Sequence, residues 1–203
     1  MTMQAPPQHK PLLLQLPSEI ALTVTREQFA ALAAANRELR LERTATGRLI
    51  VNPPTGSESG KRSAKIITQL GVWGEANELL GEYFDSSTGF ELPNGANRSP
   101  DAAWVSKERW EALTPEQRKG FAPLCPDFVI ELRSETDRLN DLRAKMQEYL
   151  ENGTQLGWLI DPQNRNVEIY RSGEVVEVLD NPTTLSGEEV LPGFTLKLHR
   201  IWA

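Results

Sequence analysis

The chain has 203 residues, 39% of them hydrophobic and 25% charged, with a formal net charge of −6 and a single cysteine. That length suits one generous domain with a full core, and that composition excludes a disordered chain. The acidic balance argues against a protein that coats nucleic acid nonspecifically, which needs lysine and arginine against phosphate, yet it leaves room for a local basic site.

Residues 1 to 17 contain four prolines and little periodicity, and are expected to form a flexible arm ahead of a single domain over 18–203. The apolar run "PLLLQLPSEIAL" is broken by Gln15, two prolines and Glu19, so it reads as neither a signal peptide nor a membrane span. Cys125 stands alone and cannot form an internal disulfide, which makes a cytoplasmic protein the expectation.

"TREQFAALAAAN" opens on Thr25 with Gln28 three residues later, a capping pair, and predicts a short helix ending near Asn36. "ELRLERT" and "GRLIVNPP" alternate around a Thr/Gly turn and predict an antiparallel hairpin stopped by Pro53 and Pro54. From Ser57 to about Leu80, Ile66, Ile67, Leu70 and Trp73 have helical spacing. "DSSTGFELPNGANRSP" reads as loop with one short strand, "DAAWVS" as a buried strand, and "KERWEALTPEQRKGF" as a helical or turn excursion.

"DFVIELR" predicts a further strand, followed by a helix from about Asp137 to Asn152 whose inward stripe is Leu139, Leu142, Met146, Tyr149 and Leu150. "LGWLID", "NVEIYR" and "EVVEVLD" predict three more strands, and "PGFTLKLHRIW" a segment that ends or covers the sheet. The tryptophans at 73, 104, 110 and 158 sit in apolar contexts and read as core. The economical fold class is α/β in the α+β sense: a mixed sheet with helices packed on it, preceded by a helix and hairpin.

Alternation puts Asp127, Val129, Glu131 and Arg133 on one face of "DFVIELR". An ordinary account is a polar face turned to solvent, or Glu131 paired with Arg133. A second acid weighs against it. "SPD" at 99–101 and "CPD" at 125–127 both set an aspartate at the mouth of an apolar strand after a proline. Neighbouring strands lie about 4.8 Å apart, so carboxylates on adjacent strands can share a cation, whereas four residues along one strand span about 13 Å. Asp101 and Glu131 can chelate together if their strands are adjacent; Asp127 and Glu131 cannot while both stay in one extended strand, and Asp127 is expected to bond the loops at the strand's opening. Two carboxylates completed by water describe a Mg²⁺ or Mn²⁺ site, and the scattered His9, His199 and Cys125 do not support zinc.

"SPD" followed thirty residues later by Glu131-Leu132-Arg133 resembles the PD-(D/E)XK nuclease signature, with Arg in place of the last Lys. "RTATGRLIVNPPTGSESGKR", "RSPDAAWV", "PDFVIELRS", "LRAKMQEYLENG", "LGWLIDP" and "VEIYR", in that order, resemble the Uma-two family of restriction endonucleases from about Glu38 to Leu198. The resemblance implies a restriction-endonuclease-like core that hydrolyses phosphodiester bonds of DNA with Mg²⁺ or Mn²⁺. It places the metal on Asp101, Glu131 and the backbone carbonyl of Leu132, with Arg133 and Lys145 as the basic members.

An arginine stays protonated at working pH, so Arg133 could grip a phosphate but not act as a base. Lys145 lies about 95° from the middle of its helix's apolar stripe, a flank from which a long side chain can reach the sheet end, or simply pair with Asp141. Glu58 is a further candidate acid or a first-turn glutamate favoured by the helix dipole. Lys61, Arg62 and Lys65 are candidate phosphate contacts or a solvated face. Other readings kept open are a nuclease-like binding or assembly module without hydrolysis, and a hydrolase of another phosphate ester. A homodimer is expected, through an open edge strand in "NVEIYR" or "EVVEVLD".

Overall fold

The computed structural model describes residues 21–203, so the predicted arm lies outside the described residues. Thr25 caps the first helix, α1 (Arg26–Ala35), its hydroxyl accepting from Gln28 N–H while the Gln28 side chain accepts from Thr25 N–H. The capping box read from the sequence is thus present in both halves.

The predicted hairpin forms as β1 (Arg40–Arg43) and β2 (Leu49–Asn52), with Glu42 opposite Ile50. The helix α2 (Ser57–Ala76) follows and stops at Asn77, short of Leu79 and Leu80, which stay exposed. The next strand, β3 (Gly81–Asp85), leads into the segment expected to hold one short strand. It holds two, β4 (Phe90–Glu91) and β5 (Asn97–Arg98), joined through Gly95 at φ +86°. β5 pairs with β1, so the hairpin becomes part of a four-stranded accessory sheet ordered β2-β1-β5-β4. Sequence patterning could not show this, because a two-residue strand carries no period.

The main sheet is ordered β10-β9-β8-β7-β6-β3. Its members are β6 (Ala102–Ser106), β7 (Phe128–Leu132), β8 (Leu156–Asp161), β9 (Asn166–Arg171) and β10 (Glu177–Asp180), with β3 at the far edge. The excursion after β6 forms two short helices, α3 (Lys107–Glu111) and α4 (Pro115–Arg118). Only β7 and β8 run parallel, joined by the helix α5 (Leu139–Glu151); their neighbours are antiparallel. The fold is therefore the expected mixed sheet flanked by helices. Of the two candidate edge strands, β9 is internal and β10 is the edge.

Both faces of the sheet are covered. Phe128, Ile130, Trp158 and Ile160 face a core shared with Ile66 and Leu70 of α2 and with the C-terminal hairpin, β11 (Thr184–Ser186) and β12 (Thr195–Lys197). That hairpin caps α2 rather than extending the main sheet. Ala103, Val129 and Leu159 face a second core with Met146 and Tyr149 of α5 and with Phe90 and Leu92. Gly157 on β8 permits the close approach of α5, since a Cβ there would stand 2.5 Å from Met146 Cε. Trp104 and Trp158 are buried and Trp73 and Trp110 pack against the cores, in keeping with their apolar contexts.

The charges of β7 do not follow the ordinary account of a solvated face. Every residue from Phe128 to Leu132 is buried, so its polar face does not meet solvent. Glu131 and Arg133 do not pair either, because each has a different partner.

Candidate active site

The register of β6 and β7 sets Ala102 opposite Ile130, which brings Asp101, one residue before the paired segment, opposite Glu131. Leu132 N–H donates to Asp101 Oδ2 at 2.9 Å, closing the end of the ladder with a side chain. Among the described residues Asp101 Oδ1 meets only the Arg40 guanidinium, at 3.6 Å. Burial raises the pKa of Asp101, against the lowering pull of the Leu132 hydrogen bond and of Lys145.

Glu131 is 4% exposed. Its Oε1 lies 2.8 Å from Lys145 Nζ and accepts from Tyr149 O–H at 3.1 Å, while Oε2 accepts from no described residue. Burial pushes Glu131 up to about 7; the Lys145 ammonium opposes the rise, and the neighbouring Asp101 and Glu42 charges add to it. Lys145 itself would be lowered by burial, but Glu131 and Glu42 outweigh that and hold its pKa above the ordinary lysine value.

Lys145 is flanked by a second acid that the sequence did not single out. Glu42 of β1 accepts from Lys145 Nζ at 2.9 Å and from Ser99 N–H at 3.1 Å through Oε1, and from Arg98 Nη1 at 3.2 Å through Oε2. Burial opposes ionisation of Glu42, yet Lys145 and Arg98 overcome it and lower its pKa. Arg98 in turn pairs with Glu148 of α5. The accessory sheet and α5 are thus joined through one buried polar network at the end of the main sheet. Glu42 is one polar residue of an alternating strand; it is buried by the pairing of β1 with β5 together with Lys145 of α5, and no local signal reports that pairing.

The remaining basic and acidic candidates lie in other contacts. Arg133 donates to Asp161 Oδ2 at 2.7 Å and to Asp137 O at 3.4 Å. Glu58 is largely exposed and pairs with Lys61 at 2.7 Å. Among the described residues no three acidic, histidine or cysteine side chains converge as a metal cluster, so Glu58 does not join Asp101 and Glu131. Arg62 Nε donates to Ile201 O at 3.0 Å and Lys65 Nζ to Arg200 O at 2.7 Å, tying α2 to the C-terminal segment. Lys145 does not take the alternative Asp141 pairing.

Asp127 behaves as expected of a loop-bonding residue: it accepts from Ser106 N–H, Arg109 Nη1 and Gln155 Nε2 at 2.7–2.9 Å.

The donors left over suit a hard cation. Along β7, Asp127 O and Arg133 N–H bond toward β8, so the even-numbered residues turn their N–H and C=O toward β6. Continuing the register, Leu132 stands opposite Pro100, which has no N–H to give its carbonyl. Asp101 Oδ1, Glu131 Oε2 and the Leu132 carbonyl are therefore three oxygens without a short protein hydrogen bond, the donor chemistry that Mg²⁺ and Mn²⁺ take.

No functionally curated protein matches the chain. Among solved structures, one described as "a putative nuclease belonging to DUF820 from Anabaena variabilis ATCC 29413" superposes with a TM-score of 0.68 at 20% identity, covering 81% of this chain and 90% of that one, and shares its fold. A cryo-electron microscopy structure of a DrdV–DNA complex matches at a TM-score of 0.35 and 15% identity, over 61% of this chain and 12% of that one, too distant to carry weight. The family described as "Uma2: Putative restriction endonuclease" matches residues 26–199, and the chain belongs to that family.

Proposed function

We propose that the protein is a Mg²⁺- or Mn²⁺-dependent endonuclease that hydrolyses phosphodiester bonds of DNA, with Asp101, Glu131 and the Leu132 carbonyl holding the metal. The observation that carries this reading is the asymmetry of Glu131, a buried residue with one carboxylate oxygen paired to Lys145 and the other accepting from no described residue. Membership of a family described as restriction endonucleases supports nuclease chemistry. When bound, the divalent cation supplies Lewis acidity toward water and the scissile phosphate.

The chain's own residues do the rest. Asp101 is fixed by the Leu132 N–H, so its free oxygen is aimed without a conformational search. Lys145, held between Glu131 and Glu42, is a protonated donor rather than a base; it is suited to offsetting negative charge that develops on phosphate oxygens. We assign the motif lysine's role to Lys145. Arg133, committed to Asp161, supports the strand end and touches the reaction through that positioning alone.

The direct test is relaxation of supercoiled plasmid by the purified protein in Mn²⁺ or Mg²⁺, beside Asp101→Ala. Nicking that needs both the cation and Asp101 is the expected result; equal nicking by the two proteins would sink the proposal. Absence of nicking with retained DNA binding would instead indicate a binding module.

A further inference from the structure

Arg40 is the least satisfied cation next to this site. Its Nε is buried and has no hydrogen-bond partner, and its Nη2 makes only long contacts, 3.5 Å to Ser99 O and 3.6 Å to Asp101 Oδ1. Good N–H···O bonds fall at about 2.7–3.2 Å, and a buried donor without an acceptor is costly enough to require a reason. Nη1 bonds no described residue and is not among the buried unsatisfied atoms, so that edge of the guanidinium reaches solvent. The side chain as a whole is 35% exposed.

Other arginines of the chain set the contrast. Arg133, Arg143 and Arg171 each place a guanidinium nitrogen 2.6–2.7 Å from a carboxylate oxygen. Arg40 has a carboxylate within reach and does not close on it. Its position is nonetheless constrained, because β1 is paired on both sides, to β2 through Arg40↔Asn52 and to β5 through Arg43↔Asn97.

We propose that Arg40 is a phosphate-binding residue, its free guanidinium edge taking a non-bridging oxygen of the DNA backbone at the Asp101–Glu131 site. The proposal rests on the nuclease reading for the identity of the ligand. Arginine's planar fork matches phosphate geometry, and Arg40 stands beside Asp101 Oδ1, one of the two carboxylate oxygens left for a cation. Once that oxygen is engaged by a cation, Arg40 has no anion in reach among its described contacts; a phosphodiester oxygen supplies one. The accessory sheet then contributes twice to the site, through Glu42 against Lys145 and through Arg40 against the substrate.

The test is fluorescence anisotropy of a short labelled DNA duplex in Ca²⁺, which takes oxygen ligands, with a nicking control to confirm that no cleavage interferes, titrated over a range of KCl concentrations. Arg40→Gln is expected to weaken binding about tenfold or more at low salt and to reduce the slope of log affinity against log salt by about 0.9, the signature of one lost phosphate contact. Arg40→Lys keeps the charge without the fork, and is expected to recover the slope but not the full affinity.

Arg40→Gln that binds with wild-type affinity and slope overturns the proposal, as does wild-type protein that binds no duplex. Should Arg40→Gln fail to fold by circular dichroism, Arg40→Lys decides: wild-type affinity in that variant overturns the role of the fork. Plasmid nicking by the wild type is scored separately. Nicking with Arg40-independent binding leaves the nuclease reading standing and removes this one; Arg40-dependent binding without nicking does the reverse.

Discussion

Asp127 and Glu131 lie four residues apart on the same face of one strand, and both are buried. Asp127 is saturated: a backbone N–H, an arginine and a glutamine surround its two oxygens. Glu131 receives its donors on one oxygen only, and the other accepts none from a described residue. Among the described residues the second Glu131 oxygen is not a buried atom left without a partner, so it opens toward solvent and is an acceptor that a ligand can reach. The acid of the recognisable "PD" at 126–127 is held by structural hydrogen bonds; the acid inside the apolar run keeps an oxygen open toward the proposed cation site.

The sharpest way to break this comparison is to make both carboxylates into neutral isosteres and read activity. Glu131→Gln is expected to lower plasmid nicking by about 10³-fold, in line with loss of a group that aligns charge in the transition state. Asp127→Asn is expected to nick at the wild-type rate per folded molecule. Similar losses in both variants, measured as single-turnover rates at saturating Mn²⁺, would erase the distinction.

Stability should set Asp127 against a different acid of the site, Glu42. Glu42→Ala leaves Arg98 and Lys145 buried with one anion fewer, and breaking a buried pair in this way typically costs about 3–5 kcal/mol. Asp127→Ala strands the Ser106 N–H and the Gln155 amide, but the partly exposed Arg109 can return to water, so the expected cost is smaller, about 2–3 kcal/mol. Urea denaturation of the three proteins checks the order. A Glu42→Ala variant as stable as wild type would show that the accessory sheet is not joined to α5 through this network.

The contrast also explains what was legible in the sequence. Helical spacing of Ile66, Leu70, Met146 and Tyr149 carries both long helices, and short apolar runs bounded by turn residues carry the central strands of the main sheet, which are buried on both faces. Strand spacing argues against Asp127 and Glu131 sharing one ion and permits Asp101 and Glu131 to do so on adjacent strands; that β6 and β7 are adjacent, with Asp101 opposite Glu131, comes from the fold. The flank position of Lys145 on α5 is a matter of helical angle. Glu42, Arg98 and Arg40 were not legible, since they reach the site through β1–β5, a pairing made of Arg43 and Asn97 alone. Nor could spacing separate Arg133 from Lys145: Arg133 is diverted by Asp161, which sits at the end of a strand whose parallel register with β7 only the fold supplies.

The smallest expected effect is a dependence on pH, and its sign follows from the same open oxygen. Burial raises Glu131 to about 7, so below that value a proton occupies the carboxylate that a cation would use. Metal affinity should fall as pH drops through about 7, approaching tenfold per unit where protonation of this one group dominates, and level off above about 8. Asp127, already enclosed by three donors, has no open oxygen to offer, and Asp127→Asn should leave the profile unchanged. Calorimetric Mn²⁺ titrations between about pH 6 and 8 read this directly. In Glu131→Gln the slope should vanish along with most of the binding. An affinity that stays flat across the window in the wild type would mean that Glu131 does not meet the metal, and that Asp101 and the Leu132 carbonyl hold it without the acid inside the strand.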